Sequence, residues 1–258
     1  MGRDFYVEEK GAAAYFEREW ADLIVASGAE FGFAYPRFEP QRIACDHSAR
    51  VMELLARGLH AAGARPARVL EVGASVGRGA YELVRAVPSV EHLVMLEPSE
   101  NLRKLCHGVL TNTGARRYPV LRGAGLGQVE FDSEQVARAM AHVNWELRGD
   151  SFEQAGDVDP PPDLVICMNV IDQVRDPWAL VSFLWRAVPP GGFLLISCTY
   201  LWRTRYLSAR MPPPSNLRDA FLLGWELIEE GEVMFHGRER ERAWRSYLSH
   251  TLLLRRAV

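Results

Sequence analysis

The stretch RVLEVGASVGRGAYELV, from Arg68 to Val84, narrows most what this chain can fold into. Its first five residues, RVLEV, read as a short strand carrying Val69, Leu70 and Val72, Gly73, Gly77 and Gly79 follow closely, and a helix-period run completes it. A strand that breaks into a glycine turn and restarts as a helix opens a β-α-β unit, and such a turn lets backbone approach a ligand. The pattern then repeats. Strands are expected at 68–72, 92–97, 163–168 and 192–198, with helices near 78–86, 99–112 and 177–187. This alternation predicts an α/β fold, a parallel sheet with helices on both faces.

Flanking segments complete the expected layout. Tyr15, Phe16, Trp20, Leu23 and Ile24 are spaced for a helix over Ala12–Ser27, and Val51, Leu54, Leu55 and Leu59 for another over 45–63. Residues 1–66 are read as a helical lid on the substrate side of a core at 67–258. Removing residues 1–40 would then abolish turnover and leave cofactor binding intact. Residues 117–150 hold a glycine-containing stretch, the helix-like EQVARAMAHV and a short strand in NWELRGD. In the tail, GWELIEEGEV and ERAWRSYLSHTLLLRR read as a closing antiparallel pair joined by a loop at MFHGRERE.

Composition sets outer bounds. A chain of 258 residues, 48% hydrophobic, can bury one large core. Its formal charge of −3 supplies no basic field for nucleic acid. Cys45, Cys106, Cys167 and Cys198 lack disulfide or metal spacing and read as reduced thiols, so no metal is expected. No run approaches the roughly 20 apolar residues of a bilayer span, and a soluble, cytoplasmic protein is expected.

The residues around the turn say which ligand suits it. Ser75 stands where a dinucleotide-binding G-x-G-x-x-G wants its second glycine, and Glu71 at the strand end would oppose a pyrophosphate and suit a cation. Glu97, at the end of the second strand, can accept hydrogen bonds from ribose hydroxyls. Asp150 and Ser151, in LRGDSFEQ, follow the third strand, where an acceptor can reach an adenine amino group. PDLVICMNVIDQV and a Pro-Pro-Gly-Gly turn come next.

In this order and spacing, residues 68–199 resemble a class I S-adenosylmethionine-dependent methyltransferase. The resemblance implies a Rossmann-like sheet and S-adenosylmethionine as cofactor. It implies donor binding by Glu71, Gly73, Ser75, Gly77, Glu97, Pro98, Asp150, Ser151 and Asn169; Ser75 departs from the usual middle glycine. The flanks YFEREWADLIVASGAEFGFAYPRFEP, CTYLWRTRYL and FHGRERERAWRSYLSHTLLLRR, with the loop NVIDQVRDP, are similar to the C-terminal methyltransferase region of ovothiol biosynthesis enzymes. That second resemblance implies a small-molecule acceptor, a nitrogen of a histidine- or thiohistidine-like amino acid.

Methyl transfer from a sulfonium needs alignment and exclusion of water more than a metal. Asn169, Asp172 and His250 are the candidate catalytic residues, with His47 and His236 as further bases. Tyr15, Tyr35, Tyr200, Trp202 and Tyr206 can cage a planar or cationic acceptor, and Arg238 can clamp a carboxylate. Each type also serves plain structural ends: aspartates in turns, histidines and aromatics in packing. Rival readings are a natural-product O-, N- or C-methyltransferase, a nicotinamide oxidoreductase, against which Ser75 and Glu71 count, and a non-catalytic cofactor-binding or partner protein.

Overall fold

The computed structural model describes residues 8–27, 37–39, 42–43, 46–123, 125–203, 212–240 and 243–258, without the side chains of 37–39, 42–43, 235, 238–240 and 243–244. Tyr35, Cys45, Tyr206 and the side chain of Arg238 lie outside the described residues.

Helix α1 (Glu9–Ala26), the short antiparallel strands β1 (Arg37–Glu39) and β2 (Arg42–Ile43), and helix α2 (His47–Ala61) precede the main sheet. That sheet begins with β3 (Arg68–Val72), α3 (Arg78–Ala86), β4 (His92–Leu96) and α4 (Glu100–Thr111). An inserted hairpin of β5 (Ala115–Arg122) and β6 (Gly125–Asp132) follows, then α5 (Glu134–Met140) and β7 (Asn144–Arg148). The chain continues through β8 (Leu164–Met168), α6 (Pro177–Ala187), β9 (Phe193–Cys198), the one-turn α7 (Leu217–Ala220), β10 (Trp225–Arg240) and β11 (Ala243–Arg256).

The seven strands run in the order β10-β11-β9-β8-β3-β4-β7. From β9 to β7 all neighbours are parallel, and β11 inserts antiparallel between β9 and β10. The order reverses between β3 and β8, and open α/β sheets bind ligands at such a point, beyond the carboxyl ends of the strands. Alternation along the strands sends Val69, Leu164 and Leu195 to a core shared with α1 to α5, while Leu70, Val165 and Ile196 face α6 and α7. Local signals set the helix starts. Asp176 accepts hydrogen bonds from the backbone N–H of Trp178 and Ala179, with Pro177 in the first turn of α6.

Two expectations change, and a stretch that the sequence left without a state gains one. The glycine-containing stretch forms the hairpin of β5 and β6, because Tyr118 and Val120 alternate inward on one strand as Val129 and Phe131 do on the other. The tail segment MFHGRERE is ladder as far as it is described: β10 continues to Arg240, pairing His236 with Ser246 and Gly237 with Arg245. The N-terminal helix belongs to the core. Phe16, Trp20, Ala21 and Ile24 are each 0% exposed, in one cluster with Val69, Leu93 and Leu164. Phe16 stacks on Tyr118 at 4.7 Å, and Glu17 accepts a hydrogen bond from the backbone of Leu121. Residue 66 therefore marks no break in the packing.

Candidate active site

The glycine turn is built from alternating left-handed residues: Gly73 at φ 79°, Ser75 at 52° and Gly77 at 86°. This curls the backbone so that Gly73 and Ala74 both donate to the carbonyl of Leu96 at the end of β4. The turn is thereby fixed against the neighbouring strand. Gly77 packs toward α4, where an added Cβ would lie 2.9 Å from Cys106 Sγ. Ser75 donates its hydroxyl to Glu19 Oε1 at 2.8 Å, joining the turn to α1. Trp20 Nε1 donates to Val76 O at 3.0 Å, and Arg78 pairs with Asp22, so the helix clasps three residues of the glycine turn and the start of α3.

Beside this turn opens a cavity of about 1020 Å³, at the upper end of small-ligand sites and large enough for two reactants. Glu71, Gly73, Ser75, Glu97, Pro98, Asp150, Ser151 and Asn169 line it; Gly77 does not. Glu97 accepts from Ser75 N and Ser99 N, each at 2.9 Å, which points its carboxylate back into the turn. Glu71 lies against Gly79, where a Cβ would stand 2.2 Å from Oε1, and its Oε2 is buried without a hydrogen-bond partner. An unsatisfied buried carboxylate oxygen is costly unless a cation or donor meets it.

Burial raises all three carboxyls. Glu71 is pushed up to about 8 by desolvation and by the nearby charges of Glu19 and Glu97. Desolvation likewise brings Glu19 and Glu97 to about 7, against the opposing pull of the Ser75 hydrogen bond to Glu19 and the Ser99 and Ser75 amides on Glu97. A cationic ligand fits this group, because it favours the ionised carboxylates that burial disfavours. In the unfolded chain these groups ionise near their ordinary values, so the folded protein holds more protons between about pH 4.5 and 8. Its stability is expected to be full below that range and to fall as pH rises through 7 to 8. Thermal melts of the ligand-free protein at pH 6 and pH 8 check this, with Glu71→Gln flattening the difference; equal melting temperatures would refute it.

The other candidates divide by strand parity. Asn169, at φ 53° after β8, accepts at Oδ1 from the hydroxyls of Ser197 (3.1 Å) and Ser249 (2.6 Å), and lines the cavity. Beyond β9 the alternation continues, so Thr199, Leu201 and Arg203 face the cavity. Tyr200 and Trp202 turn to the opposite core, 6.2 Å apart edge to face. His250 follows them. It sits between Tyr200 OH (2.6 Å) and Glu230 (2.8 Å), away from the cavity, while Arg245 and Tyr247 on the other face of β11 line it. Asp172 is buried and spent on structure, accepting from Thr199 and Gln173 and tying the loop after β8 to β9. Its carboxyl is raised by desolvation. Tyr15, His47 and His236 do line the cavity, with His47 lowered to about 4 by burial and so neutral near pH 7. Glu19, Arg18, Arg175, Arg203, Arg245 and Tyr247 were not anticipated there.

A family model described as a methyltransferase domain matches residues 37–242. The chain belongs to that family. Among curated proteins, the ubiquinone biosynthesis O-methyltransferase of Pseudomonas fluorescens (strain Pf0-1) is 28% identical over 91 residues, 35% of this chain and 39% of that protein. The match thus spans well under half of the relative's length. Among solved structures, N-methyltransferase NodS from Bradyrhizobium japonicum WM9, in complex with S-adenosyl-L-homocysteine, aligns with a TM-score of 0.54 at 13% identity. That alignment covers 95% of this chain and 98% of NodS. Magnesium protoporphyrin IX methyltransferase from Synechocystis PCC 6803, with bound S-adenosylmethionine, aligns with a TM-score of 0.52 at 14% identity over the whole of both chains. These likenesses show the fold, a class I S-adenosylmethionine-dependent methyltransferase sheet.

The methyltransferase family uses S-adenosylmethionine, which when bound supplies an electrophilic methyl group on a sulfonium. The carboxylate group at Glu19, Glu71 and Glu97 fits that cation. No group of residues that could hold a metal occurs among the described residues, and none of the described helices is long and apolar enough to cross a membrane.

Proposed function

We propose that this methyltransferase acts on a small molecule, at a nitrogen of a histidine- or thiohistidine-like amino acid. Glu71, Gly73, Ser75, Glu97, Pro98, Asp150 and Ser151 hold the donor, and Asn169 stands at the junction of donor and acceptor. The observation that carries the reading is the fixed amide of Asn169. Its oxygen is held by Ser197 and Ser249, so its N–H groups are left to orient a ring at the carboxyl end of β8. Tyr15 and Tyr247 add flat surfaces on the same cavity. An imidazole already carries a lone pair at neutral pH, so the site has chiefly to align it and exclude water.

Incubating the protein with S-adenosylmethionine and a panel of imidazole, thioimidazole, amine and phenol acceptors tests this, with product mass and fragmentation as readout. Methyl groups on imidazole nitrogen are expected. Methylation confined to phenols would favour the second reading, an O-methyltransferase, for which the resemblance to the ubiquinone enzyme speaks. Donor binding has its own check. Glu97→Ala is expected to weaken S-adenosylhomocysteine by about 1.5–3 kcal/mol in titration calorimetry, the scale of a charge-assisted hydrogen bond. Unchanged affinity would remove Glu97 from the donor site.

A further inference from the structure

Helix α1 brings to the cavity a carboxylate that no strand end supplies. Glu19 lines it beside Ser75, partly buried, with Oε1 taking the Ser75 hydroxyl at 2.8 Å. Its Oε2 accepts no hydrogen bond from the described residues. The backbone that carries it is fixed. The Glu19 carbonyl accepts from Arg78, and the next residue, Trp20, donates to Val76 O. Arg78 itself is taken up by Asp22 and Glu82, so its charge belongs to those partners first.

A second observation points to a cation at the same place. Glu71 lines the cavity at 2% exposure with Oε2 unpartnered, and of the charges acting on it Glu19 is the strongest, followed by Glu97. Both repel it. Arg18 and Arg78 act on Glu19 in the opposite sense without overcoming its burial. The kind of cation follows from hydrogen-bond chemistry, because S-adenosylmethionine has two positive centres, a sulfonium without donor hydrogens and an α-ammonium with three. Only the ammonium can donate to the open oxygen of Glu19. Position agrees with chemistry: β7, β4 and β3 are neighbours in that order and end in Asp150, Glu97 and Glu71. A donor with its adenine at Asp150 and its ribose at Glu97 therefore brings its amino-acid end to Glu71 and the glycine turn, where Glu19 stands.

We propose that Glu19 binds the α-ammonium of the donor, with Glu71 adding negative charge nearby, so that helix α1 forms a wall of the donor site and selects a donor that carries its amino-acid end. The inference rests on the donor reading above. It adds a ligand from outside the glycine motif and the strand ends, and names the donor group which that ligand recognises. A carboxylate already fixed through one oxygen loses little freedom when the other takes an ammonium, and such a charge-assisted bond is among the stronger ones a site can offer.

Titration calorimetry with S-adenosylhomocysteine and its deamino analogue, in which hydrogen replaces the α-ammonium, tests this. The wild type is expected to bind S-adenosylhomocysteine about tenfold or more tightly than the analogue, the scale of one charge-assisted hydrogen bond. Glu19→Gln keeps the length of the side chain and an oxygen for the Ser75 hydroxyl. It should lose that preference through weaker binding of S-adenosylhomocysteine, and bind the analogue as the wild type does. Glu19→Asp, charged but one methylene shorter, should also bind the analogue unchanged and keep part of the preference, which gives a second measurement should Glu19→Gln not melt cooperatively. Equal binding of both ligands by the wild type, or a full preference in Glu19→Gln, would overturn the inference. So would an equal loss of both ligands in a variant that melts like the wild type, because Glu19 would then act only by holding the Ser75 turn. Failure of the wild type to bind either ligand would instead overturn the donor site itself.

Discussion

A chain lacking residues 1–40 is expected to lose S-adenosylhomocysteine binding together with its cooperative fold. The helix removed buries Phe16, Trp20, Ala21 and Ile24 completely, and its Glu19 accepts the Ser75 hydroxyl beside the donor cavity. A lid could be lost without such a result; part of a core cannot. Trp20→Ala isolates the packing share. The indole touches Tyr81 and Phe131, lies under the Arg78 guanidinium at 5.3 Å and donates to Val76 O. Its removal is expected to cost about 3–5 kcal/mol, a large part of a typical total of roughly 5–15 kcal/mol. Chemical denaturation of the point variant and calorimetry of the truncated chain measure the two effects. A truncated protein that melts like the full chain and binds donor product at full affinity would restore the detachable lid.

The sheet was legible because its signals are local. Short apolar runs, glycine turns and the Asp-Pro start at 176–177 each fix an element within a few residues, and the observed bounds of α3 and α6 agree with those expected. The hairpin at 115–132 was obscured by Gly123, Gly125 and Gly127, which interrupt the strand pattern. Its stability comes from Phe16 and Trp20 of α1, far away in sequence. The same distance hid Glu19, whose only local feature is a place on an amphipathic helix.

The side of the cavity lined by Glu71, Gly73, Ser75 and Glu97 was readable for the same reason, since these residues sit at strand ends where the motif is continuous. The opposite side depends on which way each strand faces. Leu195 and Leu253 point to the α1–α5 core, and counting in twos from them gives Thr199, Leu201 and Arg203, and Arg245, Tyr247 and Ser249. Choosing Tyr200, Trp202 and His250 by chemical type selected the opposite face of both strands. A one-residue change of parity moves every side chain across the sheet, so residue type without register misplaces a whole subsite.

Gly73→Val is expected to abolish donor binding, and the contrast with Ser75→Gly shows why. At φ 79° Gly73 occupies the left-handed region, where a β-branched residue is strongly disfavoured. An added Cβ would also stand 2.4 Å from Val170 Cγ2, so the turn and the loop carrying Asn169 would have to separate. Both halves of the cavity would be displaced at once. Ser75 is left-handed too, yet its side chain has a use, the hydroxyl bond to Glu19. Replacing it with glycine relieves about 1–2 kcal/mol of backbone strain and gives up a charge-assisted hydrogen bond of about 1.5–3 kcal/mol. The two nearly cancel in stability. Calorimetry with S-adenosylhomocysteine should therefore find no binding for Gly73→Val and affinity within about tenfold of wild type for Ser75→Gly. Normal binding by Gly73→Val would place the donor away from this turn, and complete loss in Ser75→Gly would make the Ser75 hydroxyl a donor ligand, with its bond to Glu19 incidental.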